Sequence, residues 1–485
     1  DEHVIAVLGD GSLGCGISLE GLNNIATTTN RLIVILNDNE MSISVNVGAT
    51  ARYLGRLLAS PRYNRWKGSI EDAARRLRLG RLRHAYYKIE EVLKSMFLRS
   101  VLFEELGLRY IGPVDGHNMH ALLDALTIAK NYNRPIIVHV STQKGKGYPP
   151  AEAQPAEWHG RSSFDVATGE TIAQKGPPTY AAVFGSVMER LAAQDDRIVA
   201  ITAAMSAGTG LANFAKRFPA KFFDVGICEE HAVVFAAGLA AAGMRPVFAV
   251  YSTFSQRAID CIIHDVCLQS LPVVICLDRA GIVGDDGPTH HGVFDIALLR
   301  SVPNLILAQP RNEAELANLL FSAIKWGKPT AIRYPRGAGP GTPVPDTLSE
   351  LQPGKAEIVS EGKEIQIWAL GDMVPMAERV ADILAGQGMT AGVVNARFVR
   401  PLDEELLTKH SSTAQAIATI ENGVVKGGFG SAVGSSLAAN HFEGSFLPFG
   451  WPDEFLPHGS MNELSARSGF NAKTIATAIL KEFIA

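Results

Sequence analysis

Two short stretches near the start of the chain gather residue types suited to holding a cation and a phosphate. Gly9, Asp10, Gly11 and Ser12 follow the apolar residues 4–8, and Asn37, Asp38, Asn39, Glu40 and Met41 follow the apolar residues 32–36. Glycines let a backbone approach a phosphate closely, and a helix N-terminus favours its charge. Asp10, at a strand end, is placed to ligate Mg²⁺, which prefers oxygen donors from carboxylates or amides together with phosphate and water. By itself, Gly-Asp-Gly is also the sequence of an ordinary strand-to-helix turn.

Other candidates lie further on. Glu229 and Glu230 precede an Ala-rich run; an acidic pair there also suits the dipole of a helix start. His159, Asp286 and His290 are candidates for proton transfer near neutral pH. His290 stands four residues after Asp286 in a glycine-rich loop that reads equally as a solvated surface. Tyr251, Arg257, Arg279 and Arg336 suggest a pocket for an anionic substrate, because Arg binds phosphate in two-pronged fashion. Each arginine is also compatible with a plain ion pair. Lys144 reads as a loop lysine and Phe254 as core.

The elements that must position these residues are parallel α/β units. Apolar runs at 4–8, 32–36 and 135–140 predict strands alternating with helices such as 17–26, hence a sheet covered on both faces. Residues 50–105 are Arg-rich and amphipathic, with helical periodicity over 72–82, and read as an inserted excursion. Residues 145–178 and 336–353 are rich in Gly and Pro and read as breaks. A second unit carries strands at 198–202, 246–249, 273–277 and 305–308, and a third at 365–369, 391–395 and 416–420. Residues 1–3 lead at once into the first strand, and no signal or transit peptide is read in this stretch. A buried parallel strand rarely opens a domain this way, so the sequence is expected to start inside one.

Composition excludes several classes. The 485 residues are 47% hydrophobic and 19% charged with net charge −4, which fits a globular chain of about three domains and not a nucleic-acid binder. Five cysteines without C-x-x-C spacing disfavour a disulfide framework or a zinc site. The most apolar stretch, 232–244, is too short to cross a membrane and predicts a buried helix.

Longer strings carry a family resemblance. NDNEMSIS (37–44), YIGPVDGH (110–117), KGKGY (144–148), ICEEH (227–231), YSTFSQRA (251–258), DRAGIVG (278–284), GPTHHGVFD (287–295), RYPRG (333–337) and NARFVRP (395–401) span nearly the whole chain. Together they resemble the 1-deoxy-D-xylulose-5-phosphate synthase family of transketolase-like thiamine-diphosphate enzymes. The resemblance implies an α/β fold of three domains, two thiamine-diphosphate-binding-type parallel-sheet domains and a transketolase C-terminal-type domain. They would comprise a diphosphate-binding domain over 1–147 with its front part missing, a linker over 148–178, a pyrimidine-binding domain over 179–340 and a C-terminal domain over 354–485.

The resemblance also implies roles. Asp10, Asn39 and the Met41 carbonyl would hold Mg²⁺, while Gly11 and Ser12 would lie against the diphosphate. Glu229 would hydrogen-bond the pyrimidine nitrogen of thiamine diphosphate, with Phe254 packed beneath that ring and Lys144 near the cofactor. His159, His290 and Asp286 would serve acid–base chemistry, His290 rather than His291. Tyr251, Arg257, Arg279 and Arg336 would bind the phosphorylated aldehyde. The implied reaction joins pyruvate, with loss of CO₂, to D-glyceraldehyde 3-phosphate in a homodimer with no nucleic-acid or membrane partner. The expected location is cytoplasmic, with a plastid as alternative because the native start would lie upstream. Transketolase-type ketol transfer and a catalytically silent truncated subunit are the competing expectations.

Overall fold

The computed structural model describes residues 2–41, 46–58, 102–172 and 176–484. Most of the expected helical excursion at 50–105, including 72–82, lies outside them. The chain divides into two compact units, one made of the residues up to 173 with 226–228, the other of the remainder.

In the first unit, β1 (Val4–Gly9), β2 (Leu32–Asp38), β3 (Arg109–Asp115) and β4 (Ile136–Ser141) form a parallel sheet in the order β1-β2-β4-β3. Successive strand residues face opposite ways, which explains the unbroken apolar runs. Val34 and Leu36 pack with Leu22, Phe103 and Tyr110 on one face, while Ile33, Ile136 and Val138 pack with Ala125 and Ala129 on the other. The first apolar run does form a strand, yet Val4, Ile5 and Val7 are exposed. Among the described residues, β1 has β2 alone as its strand neighbour.

The second unit holds two sheets. One is ordered β14-β9-β10-β8-β7-β5-β6 and the other β11-β13-β12-β15-β16. In the first of these, β5 (Ile198–Thr202), β6 (Phe222–Asp224), β7 (Arg245–Tyr251), β8 (Val274–Asp278), β9 (Ile306–Ala308) and β10 (Thr330–Arg333) run parallel. In the other, β12 (Ile365–Ala369), β13 (Ala391–Asn395), β15 (Ala416–Val424) and β16 (Ser445–Trp451) are parallel, and β11 (Glu357–Ser360) is an antiparallel edge.

These two sheets are not independent. β14 (Phe398–Arg400) leaves the C-terminal segment to pair antiparallel with β9. One apolar core contains both Phe248 and Leu277 of the larger sheet and Trp368, Val394, Phe429 and Val433 of the C-terminal segment. The sequence suggested separate α/β units divided at 336–353, because a strand as short as three residues gives no periodic signal.

Candidate functional site

In the first unit the polar residues converge at the C-terminal ends of the parallel strands, where ligands of such sheets bind. Asp10 directly follows β1 and begins a 3-10 turn over Asp10–Gly14, ahead of the helix Gly16–Thr28. It is buried and accepts a 2.7 Å hydrogen bond from Asn46 Nδ2. Burial, followed by the hydrogen bond and charge of Asp38, pushes its carboxyl up to about 7.

Asp38 ends β2 and is 1% exposed. Burial acts to raise its carboxyl, but hydrogen bonds from His139 and Asp10 hold it below the ordinary value. His139 Nε2 lies 2.8 Å from Asp38 Oδ2, and Tyr110 OH lies 2.6 Å from His139 Nδ1. Tyr110, His139, Asp38 and Asp10 thus form a hydrogen-bonded column from the sheet interior to its ligand edge.

The turn after β2 is built by side-chain caps. Asp38 Oδ1 accepts from Glu40 N at 3.0 Å and Asn39 Oδ1 accepts from Met41 N at 3.0 Å. Thr142 Oγ1 donates to Asn37 Oδ1 at 2.8 Å, tying the turn to the end of β4. Beyond β4, Lys144 Nζ lies 2.7 Å from His159 Nδ1. Burial, then the Lys144 charge, lowers His159, and burial lowers Lys144 against the pull of Asp10. Both influences favour the neutral form of His159, the one that accepts a proton.

The donors Asp10, Asn39 and Met41 present carboxylate, amide and carbonyl oxygens, the set a hard divalent cation takes. A dication would also relieve the repulsion between the Asp10 and Asp38 carboxyls. No group of three or more His, Cys, Asp or Glu suited to a metal occurs among the described residues. The one-carboxylate, one-amide arrangement is of a different kind.

The second unit brings together the remaining candidates. Glu229 opens the helix Glu229–Ala241 and is 2% exposed. Arg257 Nη1 lies 3.0 Å from its Oε1 and 3.1 Å from its Oε2. Burial raises the Glu229 carboxyl, and the Arg257 charge partly offsets this. Arg257 therefore pairs with the Glu229 carboxylate.

Tyr251, Arg279 and Arg336, the other residues expected at a phosphate, form one cluster with Phe254, His290 and Asp286. Phe254 stacks on Tyr251 with ring centroids 5.6 Å apart and meets the edge of His290 at 5.3 Å. The Arg279 guanidinium lies over the Tyr251 ring at 4.0 Å and pairs with Asp286. Arg336 reaches Asp286 at 3.5 Å and Asp285 at 3.2 Å. Arg279 has φ 58°, backbone strain of the sort that collects at functional sites.

Burial lowers His290; the Arg279 and Arg336 charges act the same way, and Asp286 opposes them. His291 is instead buried and accepts from Val283 N at 3.3 Å, so it supports the loop from inside.

Sequence reasoning did not single out Tyr110, Asp38 or His139, nor the buried Arg333 described below. A lone histidine within an apolar strand was the available signal for His139.

Polar side chains gathered at the strand ends of one parallel α/β unit, and a cluster of arginines, Tyr251 and His290 in the other, are the setting in which the family matches place a thiamine-dependent transferase of the transketolase type. Family models match residues 1–142 as 1-deoxy-D-xylulose-5-phosphate synthase, 176–342 as the transketolase pyrimidine-binding domain and 354–475 as the transketolase C-terminal domain. The 1-deoxy-D-xylulose-5-phosphate synthase of Pelotomaculum thermopropionicum is 48% identical over 482 residues, covering 99% of this chain and 76% of that protein. That of Aquifex aeolicus is 48% identical over 485 residues, covering 99% and 76%. A solved structure titled a split gene transketolase, inactive beta4 tetramer, superposes with TM-score 0.56 at 29% identity, covering 63% of this chain and 98% of that one. The chain belongs to the 1-deoxy-D-xylulose-5-phosphate synthase family.

Proposed function

We propose that the chain condenses pyruvate with D-glyceraldehyde 3-phosphate, releasing CO₂ and forming 1-deoxy-D-xylulose 5-phosphate, the entry to isoprenoid and thiamine biosynthesis. Near-half identity to synthases of this name along almost the entire chain carries the reading. Thiamine diphosphate, when bound, supplies the carbanion centre and electron sink.

The chain's own residues supply position and proton control. Asp10, Asn39 and the Met41 carbonyl would hold Mg²⁺, and Gly11, Ser12 and Lys144 would hold the diphosphate. The buried Glu229 would hydrogen-bond the pyrimidine nitrogen of the cofactor and hold a proton there, while Phe254 would support the ring. Arg279 and Arg336 bind the aldehyde's phosphate, with Tyr251 between them and the stacked Phe254. Arg257 sets the charge of Glu229 and borders the same pocket. His290, with Asp286, and His159 exchange protons with the substrate oxygens. The working form is a homodimer acting on small soluble substrates. Among the described residues no helix is long and apolar enough to cross a membrane.

Incubation with 2-¹³C pyruvate, D-glyceraldehyde 3-phosphate, thiamine diphosphate and Mg²⁺ tests this by ¹³C NMR. The label should appear at the ketone of a five-carbon 1-deoxy sugar phosphate. Label found solely in acetate, acetaldehyde or unchanged pyruvate would refute it.

A further inference from the structure

Arg333 ends β10 and is fully buried. A buried cation is costly unless every donor is engaged. Its Nε donates to Asp295 Oδ2 at 2.8 Å, its Nη1 to Gln309 Oε1, and its Nη2 to Asn422 O at 2.8 Å and Gly292 O at 3.4 Å. Three of these partners belong to the pyrimidine-binding segment. Asn422, on β15, belongs to the C-terminal segment.

Asn422 also uses its side chain. Its Nδ2 donates to Asp372 Oδ2 at 2.9 Å, while its Oδ1 accepts from Trp451 Nε1 at 2.8 Å and Ile282 N at 3.2 Å. Gln309 bonds both Arg333 and Asp372, closing the ring of contacts.

The contact with Ile282 falls at the neck of the loop bearing Asp285, Asp286 and His290. That neck is pinned by reciprocal 2.8 Å hydrogen bonds between Gly281 and Gly292. Gly281 has φ +80° and no room for a side chain against Asn422; Gly292 has none against Ser252. Ser252 in turn donates to Asp295 Oδ2 at 3.0 Å and directly follows Tyr251.

We propose that Arg333 and Asn422 are positioning residues, a buried clamp by which the C-terminal domain fixes the neck of the Asp286–His290 loop and so sets aldehyde recognition. This rests on the proposed use of that loop in the condensation. The C-terminal domain then contributes to the chemistry of its own chain as well as to any assembly. The clamp touches the loop and the Tyr251 segment and none of the residues proposed to hold Mg²⁺ or diphosphate. Its loss should consequently affect one substrate more than the other.

The test uses the full chain with Asn422→Ala, and Arg333→Lys as a second variant that keeps the charge Asp295 requires. Amide hydrogen exchange over residues 279–292 should rise at least tenfold in both variants, with β8 positions 274–277 unchanged. In the holoenzyme, KM for D-glyceraldehyde 3-phosphate should rise at least fivefold while KM for pyruvate moves less than twofold. Unchanged exchange in the loop, equal loosening of loop and β8, or equal change in both KM values would overturn the clamp. Absence of turnover in the unsubstituted chain would refute the functional reading, and the exchange result would still decide the clamp.

Discussion

Arg257 grips both carboxylate oxygens of Glu229, at 3.0 and 3.1 Å, where the carboxylate is 2% exposed. An ionised carboxyl there loses its hydration, and the guanidinium restores part of that loss. Arg257→Met should therefore raise the Glu229 carboxyl further. The acid limb of thiazolium C2 proton exchange, followed by NMR with bound cofactor, should move to higher pH, by an amount tempered because Arg257 is partly solvated and screened. An unmoved limb would remove Arg257 from the control of Glu229.

Glu229→Gln keeps the volume and removes the acid–base function. The rate of that exchange should fall by about 10²–10⁴-fold, with cofactor affinity changed only a few-fold. A loss confined to affinity would make Glu229 a binding residue alone.

The phosphate reading distinguishes Arg279 and Arg336 from Arg257. Replacing either of the first two by Met should raise KM for the aldehyde about 10- to 100-fold, the worth of a charge-assisted hydrogen bond. Steady-state kinetics with D-glyceraldehyde 3-phosphate and its unphosphorylated analogue check this. The variants should discriminate between the two aldehydes less than the parent chain does; undiminished discrimination would place the phosphate elsewhere.

Asp10 carries a pH signature. Its folded carboxyl is raised from 3.8 to about 7. The folded state then holds the proton more tightly than the unfolded chain does. That contribution to stability is fully present below pH 3.8 and is lost as pH rises through 7. Without divalent cations, the thermal midpoint should decline across this window, and Asp10→Asn should flatten the decline. Added Mg²⁺ should restore on the order of 1–3 kcal/mol at pH 8 and little at pH 5. A Mg²⁺ effect independent of pH would contradict the assignment. Tyr110→Phe or His139→Gln should weaken Mn²⁺ binding, read by electron paramagnetic resonance, about 10- to 100-fold through the column behind Asp10.

The strands were readable because a parallel sheet covered on both faces leaves uninterrupted apolar runs, as at 273–277 and 365–369. The positions of Asp10 and Asn39 in turns were readable because those turns directly follow such runs. Residues whose purpose lies in distant partners were not. His139 meets Asp38 across 101 positions and Arg333 meets Asn422 across 89, separations that no local pattern encodes. The contact of Arg257 with Glu229, 28 positions away, was likewise not legible locally.

Release of CO₂ from pyruvate, measured with thiamine diphosphate and Mg²⁺ and with or without D-glyceraldehyde 3-phosphate, tests the central claim most directly. Condensation through the Arg279–Arg336 pocket predicts release that the aldehyde stimulates and that disappears in Glu229→Gln. Release that ignores the aldehyde, or no release at all, would contradict it.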